Sequence, residues 1–284
     1  MREIVATAEM RAWSDQVRGA GRRIGLVPTM GYLHAGHLSL VAEARRRADL
    51  CVASIFVNPL QFGPSEDLDR YPRDLERDRA ALGAAGVDVL YLPTASGMYP
   101  DGFQTAVTVS RVSGGLCGAS RPGHFEGVTT VVTKLFNAVK PHVAVFGEKD
   151  FQQLAVIRRM AADLDTGIEV IGAPIVREAD GVAMSSRNAY LSDDERRAAR
   201  CLSQALAAGR TAFAGGTRQA AAILAPVRAV LDAEPLARID YAELVDAECI
   251  EPIESIDRPA LLALAVFVGR TRLIDNTVLA TAWA

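Results

Sequence analysis

The first two thirds of the chain alternate short apolar runs with longer stretches of helical periodicity, and this alternation constrains the fold more than any other feature. The short runs predict strands at 23–28, 51–57, 87–92, 142–146 and 168–171. Between them, apolar residues recur at helical spacing, in the stretches 38–44, 75–82, 128–139 and 154–164. Strands that alternate with helices form βαβ units, so we expect an α/β fold with a parallel sheet whose strands are buried on both faces.

A different pattern begins after residue 175. The sequence Ser192-Asp193-Asp194-Glu195 is a capping box, which predicts the start of a long helix rich in Ala and Arg. A glycine pair interrupts this helix, and a second helix is followed by strand-like runs at 239–245, 261–268 and 271–275. We therefore expect two domains, 1–175 and 176–284, of which the second is a smaller α+β domain.

Composition narrows the class of protein. The 284 residues are 50% hydrophobic and 23% charged, which is the balance of an ordinary globular protein, and the net charge of -3 offers no basic surface for nucleic acid. The four cysteines form no C-x-x-C pair, so we expect free thiols. The first residues lack the apolar core of a signal peptide and no apolar run is long enough to span a bilayer. We expect a cytoplasmic protein without a membrane partner.

The first candidate site lies where the first predicted strand gives way to a helix, in the sequence Met30-Gly31-Tyr32-Leu33-His34-Ala35-Gly36-His37. Ligands of parallel sheets bind beyond the carboxyl ends of the strands. Free backbone N–H groups at a helix opening near His37, together with two imidazoles, would bind phosphate. The alternatives are a satisfied loop pair or half of a metal site, but no Cys, Asp or Glu stands nearby to complete such a site.

The second candidate site is a polar loop far downstream, Asp180-Gly181-Val182-Ala183-Met184-Ser185-Ser186-Arg187-Asn188. A guanidinium binds phosphate through two hydrogen bonds, and serine hydroxyls can complete a cradle around a triphosphate. The alternative is a surface turn that caps the following helix.

These two motifs resemble the H-x-G-H signature and the K-M-S-K-S-type partner loop of the nucleotidyltransferase superfamily. With the further segments 56–62, 147–153 and 176–181, the chain resembles the pantoate–β-alanine ligase (pantothenate synthetase) family across essentially its whole length. The resemblance implies a Rossmann-like ATP- and pantoate-binding domain and a C-terminal domain that carries the closing loop Met184–Arg187. It also implies two reactions: pantoate attacks the α-phosphorus of ATP to give pantoyl-adenylate and pyrophosphate, and β-alanine then displaces AMP to give pantothenate.

The resemblance also implies roles for individual residues. His37, His34 and Lys149 would be catalytic, and His37 would either donate a proton or only stabilise charge. Asn58, Gln61 and Gln153 would bind pantoate and β-alanine, and Arg121 would be a gate residue. The residues implied to bind ATP are Met30, His34, His37, Gly147, Glu148, Lys149, Asp150, Val176, Met184, Ser185, Ser186 and Arg187. Asp150 would contact the ribose, cap the helix that starts at Phe151, or do both.

Magnesium is expected to accompany ATP, because a metal that bridges phosphates offsets their charge. Asp78 is the candidate protein ligand, but Arg77 stands where relatives can carry a second acid. The metal would then be held mainly by ATP and water. The family resemblance implies a homodimer.

Three other functions remain open at this point. Another adenylyl- or cytidylyltransferase would join the nucleotide to a phosphate, which calls for Arg or Lys where Gln61 and Gln153 stand. A tRNA synthetase fragment lacks support, since the net charge has the wrong sign. An ATP-binding module without catalysis could keep the fold, because fold alone does not establish function.

Overall fold

The protein is described here by a computed structural model that covers residues 1–64 and 66–280. Packing divides the chain into two compact units. The first unit consists of Met1–Ser110, Arg121–Glu148 and Val156–Ile175, and the second consists of Arg111–Ser120, Lys149–Ala155 and the residues from Val176 onward. Two short segments from the first two thirds of the sequence therefore pack with the C-terminal part, which a single boundary at residue 175 does not anticipate.

The sheet of the first unit has six strands. They are β1 (Arg2–Ile4), β2 (Ile24–Thr29), β3 (Leu50–Ile55), β4 (Val89–Tyr91), β5 (Val143–Gly147) and β6 (Glu169–Ala173). The helices that begin before residue 175 are α1 (Thr7–Gly19), α2 (Ala35–Arg47), α3 (Leu75–Ala84), α4 (Ala95–Met98), α5 (Cys117–Ser120), α6 (His124–Val139) and α7 (Phe151–Asp163).

All strand pairs of this sheet are parallel, and the strand order is β1-β4-β3-β2-β5-β6. The chain runs outward from β2 through β3 to β4 and then returns to place β5 on the other side of β2. The point where the order reverses lies between β2 and β5, where Gly25 pairs with Val143. Ligands of open α/β sheets bind at such a reversal, beyond the carboxyl ends of the two strands.

The α/β prediction is confirmed, and its physical basis is the burial of both faces of the sheet. Val27, Ala53, Leu90 and Val143 are each fully buried in one apolar cluster with α2. All five predicted strands are present with boundaries shifted by a few residues. Only β1 escapes prediction, because three residues are too few to show an apolar pattern.

The second unit combines helices with an antiparallel sheet. Its helices after residue 175 are α8 (Asp193–Ala198), α9 (Arg200–Ala214) and α10 (Ala220–Asp232), and its strands are β7 (Ala237–Asp246), β8 (Ala260–Val268) and β9 (Thr271–Leu279), in the order β7-β8-β9. The capping box is confirmed: Ser192 Oγ accepts the N–H of Glu195, and Glu195 Oε2 accepts the N–H of Ser192. Leu206, Ile223 and Leu262 are fully buried in the core beneath the sheet.

Within residues 1–64 and 66–280, none of the helices is both long enough and apolar enough to cross a membrane.

Candidate active site

The histidine loop, residues 29–37, leads from β2 into α2. His34 is the N-cap of α2, with an extended backbone at φ -139°, and its Nδ1 accepts the N–H of Gly36 at 3.1 Å. His37 returns the contact, since its Nδ1 accepts the N–H of His34 at 3.3 Å. The two imidazoles thus form a capping box, a role usually filled by Ser or Thr with Glu or Gln, and their ring centroids lie 4.1 Å apart.

This arrangement fixes the tautomer of both rings. A nitrogen that accepts a backbone N–H carries no proton, so the neutral form of His34 and of His37 has its proton on Nε2. Protonation at Nδ1 would break the capping hydrogen bond of the same ring. In the neutral form each imidazole therefore has an Nε2–H donor.

The structure corrects the expectation of free backbone N–H groups in this loop. The helix begins at Ala35 rather than near His37, and the N–H of His37 donates to His34 O at 2.8 Å. Upstream, the N–H groups of Tyr32 and Leu33 donate to the Asp78 carboxylate. The protein itself uses these three N–H groups, so they are not the donors for a phosphate.

Asp78 contacts the backbone of the histidine loop, and its anticipated role as a metal ligand stays a prediction. Its side chain is 1% exposed, and its Oδ2 and Oδ1 accept the N–H groups of Tyr32 and Leu33, both at 2.7 Å. Within residues 1–64 and 66–280, no three His, Cys, Asp or Glu side chains are placed to hold a metal ion together. Asp78 supports the histidine loop, and a local sequence pattern cannot reveal that contact because it joins residues more than forty positions apart.

Asn58 and Gln61 lie on the turn after β3. The Nδ2 of Asn58 donates to Gln61 Oε1 and to Gly127 O, both at 3.0 Å, while its Oδ1 accepts from Tyr99 Oη at 2.7 Å and from the N–H of Leu60 at 3.3 Å. The side chain uses both donors and both acceptor positions, and the residue is 1% exposed. Asn58 therefore orients Gln61, and a direct contact between Asn58 and substrate stays a prediction.

The remaining contact of Gln61 is weak. Its Nε2 lies 3.3 Å from Met30 Sδ, a poor acceptor, so a better acceptor from a ligand could replace this contact.

Two residues that the sequence did not single out hold the turn. Burial raises the pKa of Tyr99, which keeps its hydroxyl a donor to Asn58, and Gly127 allows α6 to approach so closely that a Cβ there would lie 2.3 Å from Leu60 O.

Arg121, the candidate gate residue, bridges two parts of the first unit. Its Nε and Nη2 bind the two carboxylate oxygens of Glu66, both at 2.6 Å, and its Nη2 also donates to Gln61 O at 3.2 Å. Burial alone would raise the pKa of Glu66, but the Arg121 guanidinium holds that pKa below its usual value. His124 stands beside the pair, with Nδ1 2.9 Å from the same Gln61 oxygen. The structure thus ties Arg121 to the backbone of Gln61.

In the second unit, Lys149 and Asp150 end a short 3-10 turn before α7. Lys149 Nζ lies 3.9 Å from Asp150 Oδ2, and the Lys149 carbonyl accepts Nδ2 of Asn276 at 2.9 Å. Gln153 is half-buried one turn into α7. Its neighbour Gln152 is buried and fastens the segment 112–117, since Oε1 accepts the N–H of Cys117 at 3.0 Å.

The serine loop, residues 176–188, begins as a hairpin. The Val176 carbonyl accepts the N–H of Met184 at 3.0 Å, so this carbonyl is paired within the hairpin. Ser185 caps the 3-10 helix Ser186–Tyr190, with Oγ accepting the N–H of Arg187 at 3.3 Å. The capping role that was the alternative interpretation of this loop therefore exists, and it applies to Ser185.

An ion pair outside the motif anchors the serine loop. Arg177 donates to both carboxylate oxygens of Asp275 on β9, at 2.6 and 2.9 Å, and to Gly181 O at 3.0 Å. The Asp275 side chain is 2% exposed. A small cavity beside this pair is lined by Lys149, Ser185, Asn188 and Asp275 together with apolar side chains. Strand β9 thus holds Arg177 through Asp275 and the Lys149 backbone through Asn276. The sequence singled out neither of these two residues of β9.

Known proteins resemble this chain over nearly its whole length. The family model of pantoate–β-alanine ligase matches residues 2–278. A pantothenate synthetase of Geobacter sulfurreducens is 59% identical over 98% of this chain and 99% of its own length, and one of Heliobacterium modesticaldum is 58% identical over the same shares.

Solved structures agree. The crystal structure of pantothenate synthetase from Thermus thermophilus superposes with a TM-score of 0.92 at 49% identity, covering 98% of this chain and 99% of that one. The pantoate–β-alanine ligase of Francisella tularensis, solved in complex with β,γ-ATP and β-alanine, gives a TM-score of 0.81 at 30% identity over 98% and 97% of the two chains. The chain described here belongs to the pantoate–β-alanine ligase family.

Proposed function

We propose that this chain joins pantoate to β-alanine in two steps, through a pantoyl-adenylate. ATP-dependent ligation of these two substrates is the reaction of the family to which the chain belongs. In the first step a pantoate carboxylate oxygen attacks the α-phosphorus of ATP, and pyrophosphate leaves with the electron pair of the broken P–O bond. In the second step the amine of β-alanine attacks the acyl carbon, the C–O bond to AMP breaks, and the amine loses a proton.

The observation that carries this proposal is the mutual capping of the histidine pair. His34 and His37 each hold a backbone N–H at Nδ1, which leaves Nε2–H as the donor of the neutral ring. Hydrogen-bond donors that are fixed before the reaction stabilise negative charge as it develops on a leaving group. We therefore assign to both rings the donation of hydrogen bonds to phosphate oxygens, with charge stabilisation rather than proton transfer as the role of His37.

For pantoate we propose Gln61 and Gln153 as the binding residues. Asn58 holds Gln61 Oε1, which directs the Gln61 amide and leaves Nε2 in its weak contact with Met30. Pantoate carries hydroxyl and carboxylate oxygens that accept hydrogen bonds far better than a thioether does. Binding would exchange the sulfur contact for one of these oxygens.

For ATP we propose a further set of contacts in the second unit. The 3.9 Å separation of Lys149 from Asp150 is a loose ion pair, so much of the ammonium charge remains for a phosphate group. Ser185, Ser186 and Arg187 supply hydroxyls and a guanidinium, and Asp150, half exposed, suits a ribose hydroxyl. Val176 is assigned to the adenine through its backbone N–H group, since its carbonyl is paired with Met184, and Met184 is assigned to the adenine as part of the closing loop.

Magnesium, a homodimer and a cytoplasmic location complete the proposal. Asp78 is occupied by two backbone N–H groups, so we propose that Mg²⁺ arrives with ATP and is held by phosphate oxygens and water. Family resemblance supports the homodimer, which light scattering of the purified protein tests. The need for ATP as a substrate supports the cytoplasm.

The experiment that tests the function is pyrophosphate exchange into ATP, measured with pantoate, with other carboxylic acids and with phosphorylated acceptors. We expect exchange that depends on pantoate and yields AMP and pantothenate when β-alanine is added. Exchange that depends on a phosphorylated acceptor would identify a nucleotidyltransferase of another substrate class. Absence of exchange with every acceptor, from protein that is folded and binds ATP, would favour a binding module.

A further inference from the structure

The turn that precedes His34 has an uncommon backbone. Gly31 has φ +83° and Tyr32 has φ +51°, so two successive residues adopt the left-handed conformation. Glycine does so readily, whereas a residue with a side chain is strained there and remains only when its surroundings hold it. The following residue, Leu33, is buried and leads directly into His34. The position of the histidine pair therefore depends on how firmly this turn is held.

Two consecutive residues of α3 hold the turn. Asp78 accepts the N–H of Tyr32 and of Leu33, both at 2.7 Å, and is 1% exposed. Arg77 donates to Leu33 O at 3.0 Å, and its guanidinium carbon lies 5.0 Å from the centre of the Tyr32 ring. Successive N–H groups of a left-handed turn form a concave anion site, and here the protein fills that site with its own carboxylate.

We propose that Arg77 and Asp78 are positioning residues for the adenylate-forming step: they lock the 31–33 turn so that His34 and His37 keep their mutual capping and present Nε2–H donors. This inference rests on the role proposed above for the histidine pair. It assigns to Asp78 a function different from metal ligation. It also gives a role to Arg77, which stands where relatives can carry a second acid. A guanidinium at this position donates to the Leu33 carbonyl, whereas a carboxylate would repel that carbonyl.

The chain of contacts explains why a distant carboxylate matters. The N–H of Leu33 is fixed by Asp78, and the next N–H along the chain, that of His34, is the donor to His37 Nδ1. In Asp78→Asn, one of the two oxygens becomes an NH2 group that faces an N–H donor. One hydrogen bond is lost, and two donors are left opposed. The turn should then relax, and the Nδ1 atoms of both histidines should lose part of their hold on the backbone.

Nuclear magnetic resonance of ¹⁵N-labelled imidazoles tests this directly, because the chain contains only four histidines. In the wild-type protein we expect His34 and His37 to show the Nε2–H tautomer. In Asp78→Asn we expect both to move towards a tautomer mixture while His124 and His142 stay unchanged. The matched control is Asp246→Asn in the second unit, where a 6% exposed carboxylate accepts the N–H groups of Glu248 and Cys249 at 2.7 and 2.8 Å. That control should leave all four histidines unchanged.

A kinetic measurement accompanies the spectra. We expect Asp78→Asn to lower pantoate-dependent pyrophosphate exchange about tenfold or more, as loss of one charge-assisted hydrogen bond would do. Conversion of added pantoyl-adenylate and β-alanine to pantothenate should change much less. Arg77→Met removes an exposed side chain and its hydrogen bond to Leu33 O but leaves the Asp78 carboxylate in place, so it tests the same idea with a smaller loss of exchange.

The outcomes separate this inference from the proposed function. Unchanged His34 and His37 spectra in both variants, or equal losses in the two half-reactions, would overturn the positioning role. If the wild-type protein shows no pantoate-dependent exchange, the proposed function fails, and the spectra still decide whether Arg77 and Asp78 lock the loop.

Discussion

The histidine loop and the serine loop are both polar loops that need outside support, but they obtain it differently. The histidine loop is fixed by its own imidazoles at its end and by a carboxylate that binds backbone N–H groups. The serine loop is fixed by ion pairs between side chains, of which Arg177 with Asp275 is the more buried and Arg196 with Asp180 the more exposed. The first loop therefore depends on the backbone of a strained turn, and the second depends on charges.

The difference indicates which changes should affect chemistry and which should affect stability. In the histidine loop the groups that hold the fold are the same rings that are proposed to act on phosphate, so a change there alters the reaction. In the serine loop the anchors Arg177 and Asp275 are separate from Ser185, Ser186 and Arg187. Changes to these anchors should lower the stability of the loop directly, and they should weaken its binding of ATP only as a consequence.

The largest effect is expected from His37→Ala. Loss of one fixed donor to a developing negative charge typically costs about a hundredfold to a thousandfold in rate. Pantoate-dependent pyrophosphate exchange should fall by that factor, while conversion of added pantoyl-adenylate to pantothenate should be largely retained. His142→Ala is the control, because His142 Nδ1 also accepts a backbone N–H, that of Ile24 at 3.0 Å. Equal losses in both half-reactions of His37→Ala would mean that the ring is structural.

The next effect concerns the anchor of the serine loop. Asp275→Asn replaces the two charged acceptors opposite Arg177 with one neutral amide oxygen and leaves its contact to Gly181 O, and we expect a loss of about 2 kcal/mol in the free energy of unfolding together with a raised KM for ATP. Denaturant titration and steady-state kinetics measure the two quantities. Asp240→Asn is the control, since Asp240 pairs with Arg272 at 2.7 Å in the same unit. A control that raised the KM for ATP equally would show that the anchor has no specific role.

A smaller effect is expected at the turn that carries Gln61. In Gly127→Ala the new Cβ would meet Leu60 O at 2.3 Å and Gln61 N at 2.6 Å, so the turn must shift. We expect the KM for pantoate to rise about tenfold and the KM for ATP to stay the same. Gly83→Ala in α3, where no atom lies within 4 Å of the added Cβ, should alter neither value. An unchanged KM for pantoate in Gly127→Ala would argue against Gln61 as a substrate contact.

The smallest effect is a pH dependence of the serine loop. Burial would raise the pKa of Asp180, but hydrogen bonds from Arg196 and from the N–H of Val182 lower that pKa below its ordinary value of 3.8. The stabilisation is therefore fully present above that pH and is lost as the pH falls through the lower pKa of the folded protein. The difference in melting temperature between wild type and Asp180→Asn should be constant from neutral pH to about 5 and shrink towards pH 3. A difference that does not change with pH would contradict the assignment.

How far the sequence predicts this molecule can be seen in the same two loops. The strands follow from the apolar runs, and the position of the histidine loop follows from the rule that sites lie at the carboxyl ends of parallel strands. The strand order is consistent with this rule, because it reverses at β2, the strand that leads into the histidine loop. The supporting residues do not follow. Asp78 reaches Leu33 across 45 positions and Asp275 reaches Arg177 across 98, and local periodicity contains no signal for such pairs.

The role of Asn58 shows a second limit. A polar residue next to a motif indicates a substrate contact, but only the complete set of hydrogen bonds reveals that all four positions of this amide are used inside the protein. Likewise, the choice of tautomer at His34 and His37 depends on N–H groups whose direction is set by the fold.

The most direct test of the account is a rapid-quench experiment with enzyme, ATP and pantoate in the absence of β-alanine. We expect about one equivalent of pantoyl-adenylate per active site, formed together with pyrophosphate, and its conversion to pantothenate and AMP when β-alanine is added. Release of ADP and phosphate, or formation of pantothenate without an adenylate that precedes it, would contradict the account.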